Sequence, residues 1–383
     1  MLLLISWAVS RFWLFAIGRW DLWVYPAGPL AFDDLAVYAR WLPDLNAGVI
    51  PTDDMWQYPP ASAFFFLIGS LRGDPETLLM LGILAVDLIL TLVLARQDLR
   101  AGWYWVAAGV VIGPVLIARF DVVPTLFAVL AIIAAARPVW VGVWAAVGTS
   151  LKVWPALLLF TVARRSAFTA GGAFAVALVA ILGISSLVFV GSAGFLGGQG
   201  SRGLQTESVA ALPFLIAQAF GADVTLEYRY GSMEVASGGA GVAAVAATVG
   251  LLTLFVWVVW CWLRGRLEQH RPADIGFTVV LFSVVASRVF SPQYTIWLLG
   301  IGALCLVDAR SLVRTPVLLV AAAAVVTQVL YPWGYGALLG GEPLMTALQT
   351  IRIVLVVVAA VWAGYRICWQ KEVAASPPAP SAG

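Results

Sequence analysis

Residues 53–64 read DDMWQYPPASAF, two carboxylates, a Trp, a Gln and a Tyr standing directly before a Pro-Pro pair, after which the chain turns apolar. So polar and aromatic a cluster at the mouth of an apolar segment reads as the place where an aqueous loop enters a membrane-embedded body. The composition supports the membrane part of that reading. Of 383 residues, 62% are hydrophobic and only 11% charged, with mean hydropathy +0.95, whereas soluble domains are roughly a quarter charged. An all-α polytopic membrane protein follows, with one membrane domain over residues 1–369 and a disordered cytoplasmic tail at 370–383 that ends ASPPAPSAG.

Several function classes drop out. A net charge of +2 spread over apolar sequence gives no nucleic-acid footprint. Cys261, Cys305 and Cys368 lack metal-ligand spacing, and the only histidine, His270, sits in the basic run RGRLEQHRP. No metal and no cofactor are expected. The opening MLLLISWAVSRFWLFAIG lacks a basic leader, carries Arg11 in mid-run and shows no small-x-small cleavage site, so it reads as a retained first membrane helix.

Spanning hydrocarbon takes about 20 apolar residues, fewer where a helix is broken or shielded. That template gives about twelve segments, centred near residues 10, 66, 86, 110, 129, 150, 180, 250, 282, 299, 323 and 355. Basic residues mark the cytoplasmic side: Arg164 and Arg165, the run from Arg264 to Arg271, Arg310 and Arg314, and Arg366 with Lys371. The 19–58 loop, with six Asp against two Arg, and the 191–238 loop then face outward at a plasma (inner) membrane. Two short basic loops, RQDLR at 96–100 and Arg137-Pro138, break a simple zigzag. A re-entrant or half-helix between residues 60 and 160 would mend it, with SLKVWP suspect because Pro155 interrupts a helix.

Polar residues inside apolar runs cost enough to demand a partner or a cavity. In AFDDLAVYARWLPDLNAG, apolar Leu35, Tyr38, Trp41 or Leu42, and Leu45 make an amphipathic helix on the membrane surface. Asp33 and Asp34 stand at its start, where the plain reading is a helix cap. Asp34 shares a face with Tyr38 and is the better general base. PVLIARFDVVP places Arg119 and Asp121 between apolar runs, either as a local ion pair or as the lining of a polar cavity. Lys152 in GTSLKVWPALLLF is either a structural partner of Asp87 or Asp121, or an ammonium for a phosphate. In ASRVFSPQYTIWLL, Arg288 approaches the outer face before Pro292, Gln293 and Tyr294 re-enter; it is either a snorkelling side chain or a phosphate fork. SRGLQTES adds Arg202, Gln205 and Glu207 as sugar or headgroup contacts. Trp56, Gln57, Tyr58, Trp297, Trp333 and Tyr335 are candidates to meet or stack on sugars, against the plainer reading of Trp as an interfacial belt.

The succession DDLAVYARW, WQYPPASAF, ARFDVVP, SLKVWPALL, SRGLQTESV and SRVFSPQYTIWLL resembles the GT-C superfamily of membrane glycosyltransferases. It is most similar to bacterial polyprenyl-phosphate-mannose-dependent α-mannosyltransferases and more distantly to the GPI mannosyltransferase. The resemblance implies cytoplasmic termini, an outer-face active site and a catalytic Asp in the first outer loop, which falls on Asp34 with Asp33 as the alternative. It assigns the donor phosphate to Arg288 and Lys152; the residues themselves add Arg119 in support and offer Tyr38, Trp56, Gln57, Tyr58, Asp121, Arg202, Gln205, Glu207, Gln293 and Tyr294 as sugar or acceptor contacts. The absence of a site histidine departs from some members. The implied reaction is inverting hexosyl transfer, of mannose first, from a polyprenyl-phosphate donor to a glycolipid or lipoglycan at the bilayer. Glucose, galactose and arabinose stay open, and a transporter or flippase of a phosphorylated lipid or lipid-linked sugar is the rival from another class. Divalent-ion dependence would instead make ligands of Asp33 and Asp34 or Asp53 and Asp54.

Overall fold

Helices account for most of the computed structural model, which describes residues 1–25, 31–195 and 202–369. The tail at 370–383 lies outside the described residues, as do 26–30 and 196–201 of the two long loops. Among the described residues six helices are long and apolar enough to cross a membrane: Leu2–Arg19, Pro75–Gln97, Arg164–Val188, Ala240–Leu263, Arg314–Trp333 and Pro343–Cys368. Shorter apolar helices of 10–17 residues stand at Leu99–Ile112, Val122–Ile133, Pro138–Leu151, Pro272–Val285 and Tyr294–Val307. At 1.5 Å per residue these fall short of a hydrocarbon core of about 30 Å unless the chain around them adds length.

The first helix is pinned by a buried charge. Arg11 Nε donates to Asp87 Oδ2 at 2.9 Å, and Trp7 and Trp105 indoles donate to the same carboxylate at 2.6 and 2.8 Å. Asp87 therefore serves Arg11 and not Lys152. Leu2–Arg19, Pro75–Gln97 and Leu99–Ile112 are joined around this one ion pair.

Contacts between loops sort the two ends of the molecule. Arg164 meets Glu268 at 3.0 Å, Arg271 meets Asp308 at 3.2 Å, and Arg366 Nε donates to the Leu312 carbonyl at 3.3 Å. Arg100 Nη2 donates to the Val307 carbonyl at 3.4 Å, so RQDLR belongs to this same basic end. Asp121, at the start of Val122–Ile133, and Lys152, at the end of Pro138–Leu151, meet at 2.6 Å. Those two helices form an antiparallel hairpin, and their connection at Arg137-Pro138 lies at the opposite end from that meeting point.

The zigzag is mended near residue 66. The segment there is five residues of α-helix, Ser62–Phe66, and four of 3-10 helix, Leu67–Ser70, too short to cross hydrocarbon. Asp74 and Glu76 beyond it feel the charges of Arg19 and Asp33, which belong to the first loop. The segment thus turns back towards the end of the molecule it came from, and both short basic loops fall on the basic end. The break expected at SLKVWP is also present: the helix stops at Leu151, Lys152 is extended, and Trp154–Thr161 continues as 3-10 helix.

The 202–238 loop folds into a three-stranded antiparallel sheet, β1 (Leu204–Gln205), β2 (Leu226–Arg229) and β3 (Ser232–Val235), in the order β1-β3-β2. Arg229 pairs with Ser232 across a two-residue turn in which Tyr230 and Gly231 both have positive φ, 52° and 72°. That is the type I′ geometry matched to strand twist, and Gly231 adopts it without strain.

Candidate active site

A cavity of about 320 Å³ opens at the end of the molecule away from the basic loops, under the Tyr230-Gly231 turn between β2 and β3. The first wall is the helix Asp33–Arg40. Leu35, Tyr38, Trp41 and Leu45 are 1–3% exposed, so the predicted periodicity holds. The apolar face, however, packs on the protein and not on lipid. Tyr38 stacks on Phe66 at 4.6 Å and Trp41 meets Trp56 edge-on at 4.9 Å. The cap reading of the Asp pair fails as well: Phe32 is the N-cap residue, and no side chain makes a cap hydrogen bond.

Asp33 is exposed. Asp34 is half-buried and ion-paired to Arg119, whose Nη2 also donates to the Tyr331 hydroxyl at 3.0 Å. Arg119 can reach in because the chain between Val115–Ala118 and Val122–Ile133 leaves helical geometry there, with Arg119 at φ −124°, ψ 138°. The Arg119–Asp121 local pair is therefore not the arrangement found. Asp121, 1% exposed, accepts from Lys152 Nζ at 2.6 Å and from Trp297 Nε1 at 2.6 Å. It does not line the cavity, so a direct sugar contact by Asp121 gives way to a role in holding Lys152.

Lys152 lines the cavity within an aromatic box, its Nζ 5.2 Å from the Trp297 ring centre and 5.5 Å from those of Tyr58 and Phe120. Such faces favour a cation electrostatically. Trp154, Trp297 and Tyr294 form a continuous stack, with centroids 5.0 and 4.0 Å apart. The cavity thus has one aromatic wall and a set of three cations, Arg119, Lys152 and Arg202, beside the Asp34 carboxylate.

The remaining expected residues divide. Tyr38, Gln57, Tyr58, Gln205, Glu207, Gln293 and Tyr294 line the cavity. Gln57 Nε2 donates to the Tyr230 carbonyl at 2.7 Å, tying the first loop to the turn between β2 and β3. Trp56 is 6% exposed in the aromatic core and lines nothing. Arg288 is half-buried and outside the lining; its carbonyl accepts from the Gln205 N–H at 3.0 Å. Trp333 is exposed and packs on Tyr25 at 5.7 Å. Asp53 accepts from the Trp41 indole at 2.7 Å and from two backbone N–H groups, so it is spent on the turn. Among the described residues no three His, Cys, Asp or Glu side chains converge in a way that could hold a metal ion.

Sequence reasoning missed Trp154, Tyr228, Tyr230 and Tyr331, all of which line the cavity. Only Trp154 left a signal, next to Lys152 in KVWP. Burial pushes the Glu207 carboxyl up to about 7, against the opposing pull of Arg352 and then Arg119. Burial likewise raises the Tyr58 phenol, which leaves it a neutral hydrogen-bonding group at neutral pH.

The arrangement can bind an anion on its cations, lay a sugar ring on its aromatic wall and take up a proton on a carboxylate. The model of glycosyltransferase family 87 matches residues 56–292, more than half of the chain. No curated protein and no solved structure matches the chain.

Proposed function

Because the chain belongs to glycosyltransferase family 87, and is a membrane-embedded glycosyltransferase of the GT-C type, we propose that it transfers a hexose, mannose first, from a polyprenyl-phosphate donor to a glycolipid or lipoglycan acceptor. The observation that carries this reading is one half-buried carboxylate, Asp34, sharing a cavity with Arg119, Lys152 and Arg202 and the Trp154–Trp297–Tyr294 stack.

In the proposed reaction Asp34 accepts the proton of an acceptor hydroxyl as its oxygen attacks the anomeric carbon. The bond from that carbon to the phosphate oxygen breaks with inversion, and the lipid phosphate leaves with the electron pair. Negative charge grows on the phosphate, where preorganised cations lower the barrier most. Lys152 and Arg202 are the cations that line the wall here, while Arg288 is half-buried outside the lining. Arg119 has a double part: the donor phosphate competes with Asp34 for its guanidinium, so donor binding itself releases the base. A cavity at the end opposite the basic loops, which the positive-inside rule assigns to the cytoplasm, supports an extracytoplasmic site. The helices at the twelve apolar centres, with the dip at Ser62–Ser70 and the break at Lys152, support a multi-pass path that begins and ends on the cytoplasmic side.

The test uses membranes from cells expressing the chain, given radiolabelled polyprenyl-phosphate mannose and then the glucose, galactose and arabinose counterparts. Label in a new glycolipid identifies the donor. Labelled donor that crosses the bilayer without sugar transfer would replace the enzyme by a flippase.

A further inference from the structure

Arg352 lies on the helix Pro343–Trp369, outside the segment that the family model matches, and is 1% exposed. An unpaired cation in an apolar helix is costly, and its described contacts lead to the cavity wall. Nη1 stands 3.7 Å from Glu207 Oε1 and donates to Gln349 Oε1 at 3.2 Å. The guanidinium lies over the Phe290 ring at 4.1 Å, and Nη2 donates to the Phe290 carbonyl at 3.5 Å. Phe290 directly precedes the Ser291-Pro292-Gln293-Tyr294 turn that lines the cavity. Two amides close the network. Gln205 Nε2 donates to Glu207 Oε2 at 3.0 Å while its Oε1 accepts from the Phe290 N–H at 2.8 Å, and Gln349 Nε2 donates to the Glu207 carbonyl at 3.1 Å.

Glu207 itself lines the cavity. A carboxylate repels a phosphate and has only acceptor oxygens, so in a cavity of this kind its natural partner is a hydroxyl group. We propose that Arg352 is a positioning residue of this enzyme: it fixes the Glu207 carboxylate at the cavity wall, where Glu207 accepts hydrogen bonds from hydroxyls of the transferred sugar. The proposal rests on the sugar-transfer reading above. Arg352 also offsets the burial that draws Glu207 towards its neutral form, the charge of Arg119 helping and the phenols of Tyr294, Tyr331 and Tyr335 facing the same carboxylate. The sign follows. Because burial has raised the Glu207 pKa to about 7, activity that needs the charged form is lost as pH falls through that value. Removing Arg352 raises it further and moves the acidic limb to higher pH.

The experiment measures initial rates of labelled mannose transfer from polyprenyl-phosphate mannose, between pH 5 and 9 on the order of half-unit steps. The full chain is compared with Arg352→Gln, Arg352→Lys, Glu207→Gln and the Glu207→Gln/Arg352→Gln double variant, each scaled to folded protein by size-exclusion profile. Arg352→Gln is expected to move the acidic limb upward and raise the donor KM about ten-fold, the loss of one charge-assisted contact. Arg352→Lys should return both towards wild type. Glu207→Gln should abolish that limb, and adding Arg352→Gln to it should cost little more. An unmoved limb in Arg352→Gln, or a loss that adds in full to that of Glu207→Gln, would make Arg352 a structural tie and overturn the proposal. A change in acceptor KM alone would overturn the assignment to the transferred sugar. If wild type itself moves no label from any of the four donors, the transfer reading fails and the proposal goes with it, an outcome distinct from both.

Discussion

Charge removal at Asp87 should destabilise the protein more than removal of both charges of the Arg11–Asp87 pair. The two side chains are 1% and 0% exposed and meet at 2.9 Å, with a second contact from Arg11 Nη2 to Asp87 Oδ1 at 3.4 Å. Asp87→Asn leaves the guanidinium buried with no counter-charge, among neutral acceptors: the Val106 and Trp105 carbonyls at 2.9 and 3.4 Å and the Ser10 hydroxyl at 3.3 Å. Orphaning one partner of a buried pair costs about 3–5 kcal/mol, and insertion scales put an unpaired Arg at a similar ~2.5–3.5 kcal/mol. In Arg11→Met/Asp87→Asn no charge is left buried. What remains is the weakened acceptor for the Trp7 and Trp105 indoles, about 1–3 kcal/mol. The coupling is therefore at least ~2 kcal/mol, large for a double-mutant cycle. Thermal midpoints of detergent-solubilised protein, read by fluorescence-detected size exclusion, should rank wild type, then the double variant, then Asp87→Asn, with the last roughly 5 °C or more below wild type. A double variant that melts lower by the sum of the two single losses would refute the reasoning, since the charges would then act independently.

A related test sits on the neighbouring helix. Gly109 faces the Arg11 guanidinium so closely that a Cβ there would occupy its place, so Gly109→Ala should cost about as much as Asp87→Asn but far less in an Arg11→Met background, by the same melting assay. At the cavity, Asp121→Asn keeps an oxygen for Trp297 but removes the counter-charge 2.6 Å from Lys152. Transfer should fall by about 100-fold while Trp297→Phe, which leaves the pair intact, loses at most about ten-fold; equal losses would contradict a role for the pair.

Local patterns in the sequence were legible, and distant pairings were not. Period 3.6 named Leu35, Tyr38, Trp41 and Leu45 as one buried face, because that face is set by adjacent turns of one helix. Whether it rested on lipid or on protein depended on Phe66 and Phe120, far along the chain, and the periodicity carries no information about them. The apolar run after Pro60 has the composition of a span, so its nine helical residues read as one; the first-loop charges felt at Asp74 and Glu76 and the contact of Arg100 with Val307 reveal that the chain turns back. Lys152 was matched to two candidate carboxylates by chemistry, and geometry chose Asp121 because Asp87 was already held by Arg11, Trp7 and Trp105. The Asp34–Arg119 pair joins residues whose separation nothing local encodes. Arg288 shows the reverse limit. Its residue type and its place before Ser-Pro-Gln-Tyr marked it for phosphate, but exposure to a cavity is a property of packing, and here Arg202 lines the cavity and Arg288 does not.

The role proposed for Asp34 is that of the base in a sugar transfer from a lipid phosphate. The direct measurement is transfer of radiolabelled mannose from polyprenyl-phosphate mannose to endogenous lipid, in membranes bearing equal amounts of wild type, Asp34→Asn or Asp33→Asn. Wild type and Asp33→Asn should give a new labelled glycolipid, and Asp34→Asn should lose about a hundred-fold or more, as removal of a general base demands. Label formed undiminished by Asp34→Asn would contradict it.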